Sequence, residues 1–98
     1  MKIVVDIDST LIYTEFLNND YTRISNNDDL IDRINALSAE GHEIIVYTGR
    51  GWDKIETTRR QLSEIGLSYD MLIMGKPVAD YYIDDKGITA EDFLELIF

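Results

Sequence analysis

The sequence contains no cysteine and only one proline. Without cysteine, the chain can form neither a disulfide framework nor a thiolate metal site. Basic residues are also scarce, because nine of them stand against nineteen acidic residues and leave a formal net charge of -10. This charge repels nucleic acid and anionic membrane surfaces, so we expect neither of them as a partner.

Long hydrophobic runs are missing as well. No stretch approaches the roughly 18 to 20 apolar residues of a membrane span, and the sequence opens on a strand-like run, Lys2 to Val5, in place of a leader. We therefore expect a cytoplasmic protein without a membrane contact. With 45% hydrophobic residues in 98 positions, the composition predicts one folded domain, residues 1–98, around one core.

Short β-branched runs alternate with segments of helical periodicity. The candidate strands cover residues 3–7, 43–47, 70–74 and 81–83. The first run is apolar throughout before Asp6, which is typical of a strand that is buried on both faces of a parallel sheet. The alternation predicts an α/β fold, a three-layer Rossmann-like parallel sheet with helices on both faces.

Three segments between and after the strands predict helices. Leu30, Ile31, Ile34 and Leu37 fall on one helical face that follows capping residues and ends near Gly41. A second helix should run from Asp53 to Ile65 and end at Gly66. Residues 89–92 resemble a capping box, which opens a last helix that we expect to continue through Ile97 and Phe98.

One segment breaks the alternation directly after the first strand. Residues 11–17 and 21–24 are β-prone and flank the turn-forming run 18–20, which predicts a β-hairpin. We expect this hairpin, at about residues 11–24, to serve as a flap over the site, since the chain is too short for a separate cap domain.

Polar residues follow the predicted strands at the end where parallel α/β sheets bind their ligands. Asp6 and Asp8 lie two residues apart, so both side chains can point the same way. Adjacent carboxylates repel one another unless a cation holds them ionised, and Asp84 with Asp85 offers a second pair after another strand. The sequence therefore predicts a site for Mg²⁺.

Phosphate-binding groups follow the other predicted strands. Thr48 and the backbone amides around Gly49 can hydrogen-bond a phosphoryl oxygen, and Lys76 can place a positive charge beside it. Arg50, just beyond them, is a candidate for contacting the substrate. Together with the carboxylates, these residues predict a site for phosphoryl transfer.

The order of these motifs resembles the haloacid dehalogenase (HAD) superfamily over nearly the whole chain. The motifs are Asp6-Ile7-Asp8-Ser9-Thr10-Leu11, Thr48-Gly49-Arg50, Gly75-Lys76-Pro77 and Ile83-Asp84-Asp85. Within the superfamily, the chain most resembles short, capless phosphatases assigned to polysaccharide biosynthesis. It departs from the pattern at Ser9, where the family commonly has glycine, and in the short stretch 77–83, where many members have a helix.

The resemblance implies a role for each motif residue. Asp6 would be the nucleophile that forms an aspartyl-phosphate, and Asp8 would protonate the leaving oxygen and then activate water. Thr48 and Lys76 would hold the phosphoryl group. Asp6, the carbonyl of Asp8 and one residue of the terminal acidic pair would ligate Mg²⁺, with Asp84 favoured over Asp85 as the direct ligand.

The function expected on these grounds is Mg²⁺-dependent hydrolysis of a phosphomonoester, with a small metabolite such as a sugar phosphate as substrate. Two alternatives stay open at this point: a non-catalytic binding protein that keeps the HAD-like scaffold, and a receiver-like domain of a phosphorelay. A homo-oligomer would be one means of covering a site that has no cap.

Overall fold

The structure is a computed structural model that describes residues 1–96. In chain order its elements are β1 (Lys2–Val5), β2 (Ile12–Leu17), β3 (Asp20–Asn26), α1 (Asp28–Ala39), β4 (Glu43–Tyr47), a 3-10 helix (Trp52–Lys54), α2 (Ile55–Glu64), β5 (Met71–Ile73) and α3 (Ala90–Leu94). Ile97 and Phe98, on which the last helix was expected to end, lie outside the described residues. None of the helices in residues 1–96 is long and apolar enough to cross a membrane.

Three strands form a parallel sheet in the order β1-β4-β5. Val4 of β1 pairs with Ile45 of β4, and Val46 of β4 pairs with Leu72 of β5. Helix α1 lies between β1 and β4 in the sequence, and α2 lies between β4 and β5, so each parallel step is made through a helix. The α/β alternation expected from the sequence is confirmed, whereas the number of layers stays a prediction.

The hydrophobic core forms between the central strand and the helices. Ile44, Ile45 and Val46 of β4 are all buried, as expected for a strand covered on both faces. The apolar face of α1 and Leu62 of α2 also belong to this core. Each such aliphatic side chain contributes about 1.5–3 kcal/mol when it is fully removed from water. The core therefore fixes β4 and the chain segment that follows it.

The expectation that the first strand is buried on both faces is wrong. Along β1, exposed Lys2 and Val4 alternate with Val5, which is buried, and Val4 remains 56% exposed. In the described part of the chain β1 is an edge strand of the sheet. Tyr81–Ile83 does not form the predicted fourth strand, and Ile83 is fully exposed. β-branched residues favour an extended backbone locally, but a strand forms only if a neighbour pairs with it.

The segment after β1 forms an antiparallel hairpin of β2 and β3. Its turn residues Asn18 and Asn19 both have positive φ angles, 52° and 60°, which asparagine tolerates better than most residues. Two hydrogen bonds fasten the hairpin to α2: the Thr57 hydroxyl donates to Asp20 at 2.7 Å, and the Gln61 amide donates to a backbone carbonyl of β3 at 2.9 Å. Whether the hairpin acts as a flap stays a prediction.

Helix ends follow the capping residues of the sequence. The Asn27 side chain accepts a hydrogen bond from the backbone N–H of Leu30 at 3.3 Å and so caps α1. Gly41, with φ of 95°, follows the end of this helix as predicted. The expected second helix begins as a 3-10 turn before it continues as α2. Thr89 caps α3, which ends at Leu94.

Candidate functional site

The end of β1 places two carboxylates on the same side of the chain. Val5 and Ile7 point into the core, so Asp6 and Asp8, which alternate with them, point away from it and are partly exposed. Beyond Asp8 the chain turns sharply, with backbone hydrogen bonds returning to the carbonyl of Ile7. Ser9 has a φ of 63° in this turn, the left-handed conformation that glycine adopts more easily.

Asp8 is held by donors from two distant parts of the chain. The hydroxyl of Thr14, on β2, donates to Oδ1 of Asp8 at 2.7 Å. The guanidinium of Arg50, in the segment after β4, donates from Nε to Oδ2 at 3.0 Å and from Nη2 to Oδ1 at 2.9 Å. This is the bidentate geometry in which arginine binds a carboxylate most strongly. The Asp8 carboxylate is therefore fixed in both position and plane.

Arg50 is a buried residue whose side chain is 0% exposed. Besides Asp8, its Nη1 donates to the hydroxyl of Thr58 at 3.1 Å and to the side-chain carbonyl of Gln61 at 2.7 Å, and both acceptors lie on α2. The guanidinium carbon also lies 4.2 Å from the ring centroid of Tyr21 on β3. The residue that the sequence marked as a candidate for contacting substrate thus faces the inside of the protein.

Asp6 has a different environment from Asp8. Among the described residues no side chain donates a hydrogen bond to it, whereas the backbone N–H of Ile7 does. Partial burial raises the pKa of Asp6, and the negative charge of Asp8 raises it further, while that backbone hydrogen bond and the charges of Lys76 and Arg50 oppose the rise. One carboxylate of the pair is therefore held by side chains, and the other remains open.

The three remaining phosphate-binding candidates lie on neighbouring segments. Thr48 is fully buried, and its hydroxyl oxygen accepts the backbone N–H of Arg50 at 3.2 Å. Gly49 is exposed, and its backbone approaches that of Lys76. The backbone N–H of Lys76 donates to the carbonyl of Thr48 at 2.8 Å, and its ammonium lies 4.2 Å from the ring centroid of Tyr82. The structure therefore brings the Thr48 and Lys76 motifs together beyond β4.

The two acidic pairs are not assembled into a metal-binding group. Asp84 and Asp85 are exposed, and Oδ1 of Asp84 accepts the backbone N–H of Lys86 at 2.8 Å. Within residues 1–96, no cluster of three or more histidine, cysteine, aspartate or glutamate side chains could hold a metal ion. The arrangement of these side chains therefore does not fit the expected site of Asp6, Asp8, Asp84 and Asp85, and Mg²⁺ stays a prediction.

Sequence reasoning did not single out Thr14, Thr58 or Gln61 as part of the site. Thr58 and Gln61 are buried at positions i and i+3 of α2, on the face that should be apolar. The interrupted apolar face of this helix was the available signal, because polar residues inside a protein need hydrogen-bond partners. No comparable pattern marks Thr14, since polar residues are ordinary in a hairpin strand.

The sequence matches no protein-family model and no curated protein. In three dimensions the chain is similar to a structural-genomics target protein from Vibrio cholerae, with a TM-score of 0.79 and 23% identity. That alignment covers 98% of this chain and 89% of the other. A likeness at this level of identity shows the fold alone.

Two further solved structures are similar over part of their length. A chain of the Pnkp1/Rnl/Hen1 complex has a TM-score of 0.61 and 27% identity, and the alignment covers 98% of this chain but 34% of that one. A Vibrio cholerae protein provisionally named 3-deoxy-D-manno-octulosonate 8-phosphate phosphatase has a TM-score of 0.51 and 20% identity, with 76% and 40% of the two chains covered. These likenesses agree with a small Rossmann-like α/β fold.

Proposed function

We propose that this chain hydrolyses phosphate monoesters, with Asp6 as the nucleophile and Asp8 as the general acid and base. The observation that carries the proposal is the contrast between the two carboxylates at the end of β1. Asp6 is open beside the charge of Lys76, whereas Asp8 is clamped by Arg50 and Thr14. Paired carboxylates in different environments are typical of sites that divide nucleophilic and proton-transfer roles.

Two further observations support the proposal. The order of motifs along the chain resembles that of HAD phosphatases, and one structural neighbour is provisionally named as a phosphatase that acts on a sugar acid phosphate. We propose a small phosphorylated metabolite, such as a sugar phosphate, as the substrate. The net charge of -10 disfavours a nucleic acid.

In the first step, a carboxylate oxygen of Asp6 attacks the phosphorus atom. An O–P bond to Asp6 forms while the bond from phosphorus to the ester oxygen breaks, and the electron pair of that bond goes to the departing oxygen. Asp8, a carboxylate in the free protein but protonated in the substrate complex, gives its proton to this oxygen, so the alcohol leaves neutral. The positive charge of Lys76 offsets the negative charge of the phosphoryl group, and the exposed amide of Gly49 holds a phosphoryl oxygen, whereas the buried Thr48 hydroxyl accepts the Arg50 N–H and so orders this segment.

In the second step, water attacks the phosphorus of the aspartyl-phosphate. Asp8, now a carboxylate, takes a proton from this water, and the O–P bond to Asp6 breaks with its electron pair returning to the Asp6 carboxylate. Inorganic phosphate leaves, and both residues regain their starting protonation states. The two steps need Asp8 at a fixed distance from the reacting oxygens, first as an acid and then as a base.

Mg²⁺ is the cofactor that we propose for this site. When bound, such a cation would offset the charge of the phosphoryl oxygens. The carboxylates of residues 1–96 are not arranged as a metal site, so the phosphoryl group itself would have to supply part of the coordination.

The test is phosphate release from a panel of sugar phosphates, nucleotides and p-nitrophenyl phosphate, each with Mg²⁺ and with a chelator. Asp6→Asn removes the nucleophile at constant volume, and Asp32→Asn makes the same chemical change at an exposed position of α1. We expect turnover that Asp6→Asn abolishes and Asp32→Asn preserves. Turnover that survives Asp6→Asn would refute the nucleophilic role, and a folded chain that turns over no substrate would favour a binding scaffold.

A further inference from the structure

Burying an arginine is unfavourable, and the contacts of Arg50 show which groups compensate for its burial. Its side chain is 0% exposed, and taking a guanidinium out of water costs several kcal/mol unless ionic and hydrogen-bond partners offset the loss. Four hydrogen bonds supply this compensation, and two of them go to one carboxylate, that of Asp8. The strongest partner of Arg50 is therefore a proposed catalytic residue.

We infer that Arg50 is a positioning residue, which clamps the general acid and base Asp8 and does not touch the substrate. The inference rests on the function proposed above and deepens it. A substrate-contacting arginine must present its guanidinium to solvent before the substrate arrives. The guanidinium of Arg50 is instead enclosed by Asp8, Tyr21, Thr58 and Gln61.

The clamp also distinguishes the two oxygens of Asp8. A carboxylate offers about four acceptor positions, two on each oxygen. Oδ1 accepts both the Thr14 hydroxyl and Nη2 of Arg50, whereas Oδ2 accepts only Nε of Arg50 among the described donors. The Asp8 side chain is still 31% exposed, so a substrate can reach it. Oδ2 is therefore the oxygen with an acceptor position left for proton exchange.

Arg50 is itself held in place by α2 and the hairpin. Thr58 and Gln61 fix Nη1, and the amide nitrogen of Gln61 also donates to the backbone carbonyl of Tyr21, whose ring packs against the guanidinium. Helix α2, the hairpin and Asp8 after β1 thus together set the position of a single side chain. Lysine could keep the positive charge, but it lacks the planar fork that binds both oxygens of Asp8 at once.

A leaving-group comparison tests the inference. General acid catalysis matters most when the departing oxygen is strongly basic, as in an alkyl phosphate, and least for p-nitrophenyl phosphate. For Arg50→Lys we expect kcat/KM, which reports the step in which the leaving group departs, to fall about 100-fold with the alkyl substrate but less than about 10-fold with the aryl substrate, because a misplaced acid forfeits much of the roughly 10²- to 10⁴-fold acid contribution. With the alkyl substrate, for which the first step is slow, KM should change less than about 3-fold, since the substrate-binding groups are unchanged. Arg60→Lys, at an exposed position of α2, is the matched control and should alter neither rate.

The ratio of the two rates separates positioning from damage to the fold. A partly unfolded variant loses the same fraction of active enzyme with both substrates, so its ratio stays that of the native chain. Asp8→Asn should lower kcat/KM for the alkyl substrate by a much smaller factor in Arg50→Lys than in the native chain, because both changes impair one function. If Arg50→Lys does not fold, Thr14→Val removes the other donor to Asp8 and should shift the ratio in the same direction.

Three results would overturn the inference. Equal losses with the two substrates would reduce Arg50 to a structural residue, and a raised KM with an unchanged kcat would make it a substrate-binding residue. Both results would leave the proposed function standing if Asp6→Asn still abolishes turnover. Absence of turnover by the native chain would overturn the proposed function and this inference together.

Discussion

The ion pair of Asp8 and Arg50 should contribute to stability in a way that can be measured without any substrate. Its two members differ in access to water, because the guanidinium is 0% exposed and the carboxylate is 31% exposed. Asp8→Ala leaves a buried cation with only neutral partners, whereas Arg50→Met leaves a carboxylate that water can reach. The two single substitutions should therefore cost different amounts of free energy.

The magnitudes follow from this difference. Removing one partner of a buried ion pair costs about 3–5 kcal/mol, which we expect for Asp8→Ala. For Arg50→Met we expect about 2–3 kcal/mol, because solvent compensates part of the loss at Asp8. The hydroxyl of Thr58 can then donate to Gln61, its neighbour at i+3 on α2, so these acceptors add little to the cost. The double variant should cost about 2–3 kcal/mol less than the sum of the singles.

Urea unfolding followed by far-ultraviolet circular dichroism measures these costs. With a slope of about 1.5 kcal/mol per M urea, Asp8→Ala should lower the midpoint by about 2–3 M and Arg50→Met by about 1–2 M. Arg60→Met removes an exposed i,i+4 partner of Glu64 and should cost no more than about 0.5 kcal/mol. Losses below about 1 kcal/mol that add independently would mean that the pair of Asp8 and Arg50 behaves like a surface ion pair.

Two further predictions concern the turn after β1. The folded protein raises the pKa of Asp6 above 3.8, so ionisation of the Asp6 carboxyl lowers the stability of the native chain. Without divalent cations, Asp6→Asn should therefore be as stable as the native chain below pH 3.8. It should become more stable than the native chain as the pH rises from 3.8 through the folded pKa. If the melting temperatures of Asp6→Asn and the native chain differed by a constant amount at all these pH values, the raised pKa of Asp6 would be contradicted. Ser9→Gly should raise the free energy of unfolding by about 0.5 kcal/mol, because relief of left-handed strain worth about 1–2 kcal/mol exceeds the entropic cost of glycine. A lower free energy of unfolding for Ser9→Gly, measured by urea unfolding, would contradict this prediction.

Predictions that depend on neighbouring residues in the sequence agree well with the structure. The caps at Asn27 and Thr89 are formed, and Gly41 and Gly66 follow the ends of α1 and α2 with positive φ. Propensity, capping and hydrophobic periodicity act over a few residues, so a sequence displays them directly. The strand end that carries Asp6 and its neighbouring carboxylate could be located for the same reason.

Predictions that require a distant partner agreed less well. Tyr81–Ile83 has the composition of a strand, yet it is unpaired in the described part of the chain. Pairing depends on which strand edge packs alongside, and side-chain composition does not encode this locally. The arrangement of the acidic pairs is uncertain from sequence for the same reason, because Asp84 follows the segment that did not become a strand.

The sequence by itself determined the α/β alternation, the hairpin and the position of Asp6 and Asp8 at a strand end, because each of these follows from short-range preferences. Only the tertiary structure decided that Arg50 turns inward to meet Asp8, 42 positions away, with Thr14 on the other side. An arginine beside a phosphate-binding loop is chemically suited to a substrate or to a carboxylate. The buried acceptors on α2 and the ring of Tyr21 favour the inward direction, and only folding brings them together.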